Sequence, residues 1–193
     1  MQITTKMKLY SSLIFLVFIV GFFYLLTEEE ITYVKQSDMK KQQLIKGDQL
    51  PSFKLKDQNN ELFSVDSIIG KKNIVIYFYP KDETKVCTAE ACSFRDNYEL
   101  FQELGCEVIG ISSDNVESHK KFSNNHNLPF ILLSDEQNEV RKLFGVPKDL
   151  FGLIPGRYTY IIDKNGRIVH LYNSAFNANK HVEEALKALE KGK

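Results

Sequence analysis

The chain has 193 residues with 25 basic and 25 acidic side chains, so its formal net charge is zero. That balance excludes a nucleic-acid binder, which needs a basic surplus to displace counterions. A hydrophobic fraction of 43% beside 26% charge excludes a disordered chain, and three cysteines are too few for a disulfide framework. The odd count, with Cys87 and Cys92 close together, points to reactive thiols instead.

After Lys6 and Lys8, the run from Leu9 to Leu26 (LYSSLIFLVFIVGFFYLL) carries no charge, and none follows until Glu28. As a helix it would span about 27 Å, close to the hydrocarbon thickness of a bilayer. It ends in Phe22-Phe23-Tyr24-Leu25-Leu26, without the small residues of a cleavable signal peptide. The expectation is one N-terminal transmembrane helix within residues 1–26, a single-pass signal anchor. The short basic tail before it predicts a domain outside the cytoplasm, periplasmic in a bacterium. Residues 27–46 read as a polar tether, and residues 47–193 as the folded domain.

Within that domain, Phe53 to Leu55 and Leu62 to Val65 alternate with period two around Gln58-Asn59-Asn60, as in a hairpin. Asn73 to Tyr79 (NIVIYFY) is a β-prone apolar run that suits a strand covered on both faces. Ala91, Phe94, Tyr98, Phe101 and Leu104 recur at helical spacing, with Gly105 at the stop position. Cys106 to Ile111 predicts another strand, Val116 to about Asn124 a polar helix, and Phe130 to Leu133 a short buried strand. Val140, Leu143 and Phe144 mark a small helix ended by Gly145. Tyr158 to Asp163 and Arg167 to Tyr172 pair across Lys164-Asn165-Gly166, a strong hairpin signal. A helix over His181 to Glu190 closes the chain. Interleaved strands and helices predict an α/β layered domain with a mixed sheet.

The chemistry concentrates between Pro80 and Cys92. Cys87 falls where a strand gives way to a helix, the place where reacting groups gather in open α/β sheets. Unpaired N–H groups and the positive dipole end at a helix start stabilise a thiolate, which can attack an electrophile. Thr84 and Thr88 supply hydroxyls nearby, and Pro80 stiffens the strand end without adding a donor. On a regular helix Cys87 and Cys92 would lie about 8–9 Å apart in Cα separation, beyond the roughly 4.4–6.8 Å that a disulfide spans. They can pair only if the helix start unwinds. On spacing alone, Cys92 is equally a redox partner or a small hydrophobe on the apolar stripe.

Pro80, Thr84 and Cys87 form P-x-x-x-T-x-x-C, which resembles the active-site signature of peroxiredoxins. The surrounding YFYPKDETKVCTAEACSFRD is similar to the bacterioferritin-comigratory, or Q-type, branch, including its second cysteine at Cys92. The likeness continues through Gly110 to Asp114, Ser118 to Phe122, Leu128-Pro129-Phe130, Leu132 to Asp135, Gly156-Arg157 and Ile161 to Gly166, spanning roughly residues 46–190. It departs at Lys85-Val86, where the family usually carries Pro-Gly.

The resemblance implies a thioredoxin-like fold, a central mixed sheet flanked by helices, and reduction of hydrogen peroxide or an organic hydroperoxide by thiol chemistry. Cys87 would attack the peroxide and become a sulfenic acid, and Cys92 would resolve it as an intramolecular disulfide. A thioredoxin-like dithiol would then restore both thiols. Arg157 would stabilise the thiolate and the departing oxygen, Thr84 would hydrogen-bond sulfur and peroxide, and Pro80 would shield the sulfur. With the resolving cysteine in the same chain, the chemistry works in a monomer. No cofactor is implied. A peroxide sensor, or a membrane-tethered thiol–disulfide exchange module, is the alternative reading.

Other candidates read as structural. Cys106 is an inert core thiol, and His119, His126, His170 and His181 lack ligand spacing for a metal. His119 and His126 are expected in solvent, Asp82 and Glu83 as loop solubilisers, and Arg95 either in a pair with Glu99 at i+4 or, equally, near the pocket.

Overall fold

The computed structural model describes residues 42–149 and 152–192. The expected membrane helix at Leu9–Leu26, and the tether up to residue 41, lie outside the described residues. No helix among the described residues is long and apolar enough to cross a membrane. The chain from Lys41 to Lys193 packs as one unit. Its start is tied down by the Leu44 N–H, which donates to the Phe144 carbonyl at 2.9 Å.

The central strand β3 (Asn73–Phe78) explains the layering. Its side chains alternate between two buried clusters: Val75, Tyr77 and the following Tyr79 on one face, Ile74, Ile76 and Phe78 on the other. Against the first face pack Ala91 and Phe94 of α1 (Lys85–Asp96), Phe101 of α2 (Tyr98–Glu103), Phe122 of α3 (Val116–His126), and Val182, Ala185 and Leu189 of α5 (Ala178–Glu190). Against the second pack Leu50, Phe53, Val65, and Val140 of α4 (Glu139–Leu143) with the following Phe144. A strand covered on both faces reads as an unbroken apolar run, which is why NIVIYFY looks as it does.

The hairpin β1 (Lys54–Asp57) and β2 (Leu62–Ser64) begins the sheet, and β4 (Cys106–Ser112) and β5 (Ile131–Ser134) run parallel to β3. A two-stranded ribbon, β6 (Lys148–Asp149) with β7 (Ile154–Pro155), precedes the hairpin β8 (Tyr158–Ile162) and β9 (Ile168–Asn173). The seven-stranded sheet has the order β2-β1-β5-β4-β3-β8-β9, with β8 antiparallel to β3. The sheet is therefore mixed, as expected. The ribbon has no counterpart in the sequence pattern, since two-residue strands leave no periodicity to read.

One expected helix is two. The apolar stripe from Ala91 to Leu104 breaks at Asn97, whose backbone leaves helical geometry and whose side-chain amide donates to the Ser93 carbonyl at 2.9 Å. Asparagine competes with the helix for its own backbone groups. Because both segments still present their apolar side to the sheet, the stripe survives the break.

Candidate active site

Register brings the site together. In the antiparallel β3–β8 pair, Phe78 faces Tyr158, so the residues just beyond that rung, Tyr79-Pro80 on one strand and Arg157 on the other, are neighbours. Helix α1 starts five residues past the half-buried Pro80, with Thr84 at the N-cap and Cys87 in the first turn. Thr88 is the first residue whose N–H reaches back to a carbonyl, that of Thr84, at 2.8 Å. The N–H groups of Lys85, Val86 and Cys87 precede it at the open end of the helix, and no acidic side chain occupies the first turn.

Cys87 is 2% exposed, and Arg157 Nη2 donates to its sulfur at 3.1 Å. The same guanidinium pairs through Nη1 with Glu90 Oε2, one turn further along α1, and through Nε with the Ala175 carbonyl at 3.4 Å. Glu90 is fully buried, and burial pushes its carboxyl up to about 7 against the opposing pull of Arg157. A buried ion pair gains little stability for its desolvation cost. What this one supplies is aim: with Nη1 and Nε occupied, Nη2 is turned onto the sulfur.

His181 of α5 completes the wall. Its Nε2–H donates to the Ser174 carbonyl at 3.0 Å, so Nδ1 accepts from the Thr159 hydroxyl at 2.7 Å. Burial holds the ring down at about 4, and the Arg157 charge acts in the same direction. The ring is therefore neutral, and its 3.5 Å approach to Glu90 Oε1 is not an ion pair. Glu90 is not among the sequence candidates, and His181 is weighed there only as a metal ligand without ligand spacing. Glu90 left a signal, since a carboxylate at i+3 from Cys87 falls on the stripe that buries Ala91 and Phe94.

Thr84 is placed differently from expectation. It is exposed, and its hydroxyl donates to the Lys81 carbonyl at 3.0 Å, within the loop, not to the sulfur. Cys92 is half-buried and, like Cys87 and Cys106, a free thiol. Both Cys87 and Cys92 lie on the continuous helix α1. Burial, with help from Glu107, pushes the Cys106 thiol far up, so it is inert at neutral pH.

Several residues expected in solvent instead hold the Cys87 loop. Asp82 is buried, accepting from the Tyr79 hydroxyl at 2.7 Å and Ser118 at 2.8 Å and meeting His119 Nδ1 at 2.9 Å. His119 is buried too, with Nε2 on the Leu133 carbonyl at 3.2 Å. Glu83, at φ 59°, bonds Asn125 and His126 at the far end of α3, and the His126 bond holds its carboxyl down. Arg95 bonds Asp96 and the His126 carbonyl in place of the Glu99 that i+4 spacing suggests. No cluster of metal-ligand type occurs among the described residues.

The profile of the AhpC/TSA family matches residues 46–171. The chain belongs to that family. Within it the likeness is to the Q branch: the chain is 54% identical over 145 residues to chloroplastic peroxiredoxin Q of Sedum lineare, covering 75% of this chain and 77% of that protein. It is 52% identical to the chloroplastic peroxiredoxin Q of Oryza sativa subsp. japonica, again over 75% of this chain but only 66% of that one. Among solved structures, peroxidoxin BcpB of Mycobacterium tuberculosis superposes with a TM-score of 0.71 at 33% identity, covering 77% of this chain and 97% of its own. Those matches assign a thioredoxin-like α/β fold. They also correct one expectation: the plant relatives are chloroplastic by name, which contradicts a signal-anchored domain held outside the cytoplasm.

Proposed function

We propose that this peroxiredoxin, a thiol-dependent peroxidase, reduces hydroperoxides at Cys87. The carrying observation is a buried sulfur at an uncapped helix start with the Arg157 guanidinium 3.1 Å away. The Cys87 thiolate attacks the terminal oxygen, the O–O bond breaks, and the other oxygen leaves as an alkoxide or hydroxide that takes a proton. Arg157 bears on the charge as it moves from sulfur to the departing oxygen, and first-turn N–H groups point to the same place. Pro80, at the strand end, keeps water from the sulfur. Thr84 reaches sulfur and peroxide by turning its hydroxyl away from Lys81.

The Cys92 thiol then displaces hydroxide from the sulfenic acid, giving a Cys87–Cys92 disulfide and water. Since a regular helix holds positions i and i+5 about 8–9 Å apart, the first half of α1 unwinds in this step. A thioredoxin-like dithiol exchanges with the disulfide and returns both thiols. A relative's solved structure bears on the substrate: the bacterioferritin comigratory protein of Xanthomonas campestris is described as having alkyl peroxide reduction activity, and is 27% identical with a TM-score of 0.67. An organic hydroperoxide is accordingly the substrate to try beside hydrogen peroxide.

The test is turnover. The full chain with a dithiol reductant should consume many equivalents of peroxide, Cys87→Ser none, and Cys92→Ser should accumulate a sulfenic acid that a trapping reagent labels. Consumption that stops at one equivalent despite reductant would support a sensor and refute the enzyme.

A further inference from the structure

Where the β3–β8 ladder ends, the two strands that carry the site part company. The last rung joins Phe78 to Tyr158; beyond it, Tyr79 leads into Pro80 and the Cys87 loop, while Gly156 leads into Arg157. Between them lies Arg141 of α4, only 7% exposed. Its Nη1 donates to the Gly156 carbonyl at 2.8 Å and its Nη2 to the Tyr79 carbonyl at 2.9 Å. Two carbonyls cannot bond each other, because both only accept. A planar guanidinium, with donors in a fixed fork, joins them at one separation.

Arg141 is itself held at both ends. Its guanidinium lies over the Phe78 ring, 5.4 Å from the centroid. The Asp135 carboxylate accepts from the N–H of Val140 at 3.2 Å and of Arg141 at 2.8 Å, fixing the start of α4. On the far side Gly156 has no slack, since a Cβ there would meet the Pro147 carbonyl oxygen at 2.2 Å.

We propose that Arg141 is a positioning residue that sets the gap between the Cys87 loop and Arg157, serving as the missing rung at the end of the β3–β8 ladder. It touches no reacting atom. Its influence passes through Tyr79-Pro80 on one side and Gly156-Arg157 on the other, and it rests on the roles proposed above for Cys87 and Arg157. A displacement of about 1 Å at a reacting centre can cost on the order of 10²-fold in rate.

Two full-length variants test this. Arg141→Lys keeps the charge and much of the stem over Phe78 but loses the fork. Arg141→Met keeps the bulk and loses every donor. Each is compared with the wild type for the rate of peroxide reaction, for iodoacetamide alkylation of Cys87 read by peptide mass, and for thermal unfolding. Alkylation needs the sulfur but not the aim of Arg157 at an oxygen. Both variants should lose peroxide rate by roughly 10²-fold while alkylation changes by less than about threefold. An unchanged peroxide rate overturns the proposal. So does an equal fall in both rates, or loss of the folded state in both variants, which would make Arg141 a stability residue alone. Failure of the underlying reading looks different: the wild type would not react with peroxide, or Cys87→Ser would react as fast.

Discussion

Exchanging His181 for glutamine removes a titrating ring from the buried wall behind Arg157 while keeping one donor and one acceptor for Ser174 and Thr159. The folded ring titrates at about 4, against 6.5 for an unperturbed histidine. A depressed histidine contributes stability that is complete above about 6.5 and is lost as pH falls through about 4, because the unfolded chain binds the proton first. At 1.36 kcal/mol per pH unit, the wild type should lose about 3 kcal/mol through this group between pH 7 and pH 4. Glu90 titrates in the same range with the opposite sign, so a single wild-type curve mixes the two. The difference between wild type and His181→Gln separates them. Urea unfolding of both full chains at intervals from pH 7 to pH 4 should show their stability gap shifting by about 3 kcal/mol in the variant's favour on acidification. Parallel curves over that range would refute the neutral, desolvated ring.

Glu90→Gln tests the opposite limb. A carboxyl raised to about 7 contributes stability that is present below its ordinary value and lost as pH rises through 7, so over that interval the wild type should weaken relative to the variant, which keeps the His181 contribution. Matching urea midpoints against pH would contradict this. Thr84→Val should cut the peroxide rate by about 10²–10³-fold, the usual toll of one lost donor, while thermal unfolding barely moves because the hydroxyl does not cap α1. A wild-type rate would remove Thr84 from the chemistry. Asp82→Ala strips partners from Tyr79, Ser118 and His119 together and should cost about 3–5 kcal/mol in urea unfolding. A loss below about 1 kcal/mol would show that the cluster is not what holds the loop.

The fold was legible where burial writes a period. Strand β3, the β8–β9 hairpin with its Asn165-Gly166 turn, and the stripe of α1 all follow from spacing, because each has one partner geometry that hides its apolar side. Cys87 was legible from its place between strand and helix. Arg157 is different: seventy residues separate it from Cys87, and only the family likeness joins them in sequence. Asp82 and His119 read as surface in the sequence, and Arg141 and His181 are not read there as buried, because pairing is invisible in one dimension. Asp82, His119, Arg141 and His181 are each buried against partners distant in the chain. A faint signal existed in His119, which lies three residues before the buried Phe122 on the same helix face, and in Arg141, which sits between Val140 and Phe144.

The assignment of work between the two nearby sulfurs can be read directly by adding one equivalent of peroxide to the reduced full chain, blocking the remaining thiols, and mapping the peptides by mass. A linked pair of peptides carrying Cys87 and Cys92, with Cys106 blocked as a free thiol, is the predicted result. Linkage through Cys106, or blocked Cys87 beside an oxidised Cys92, would contradict the account.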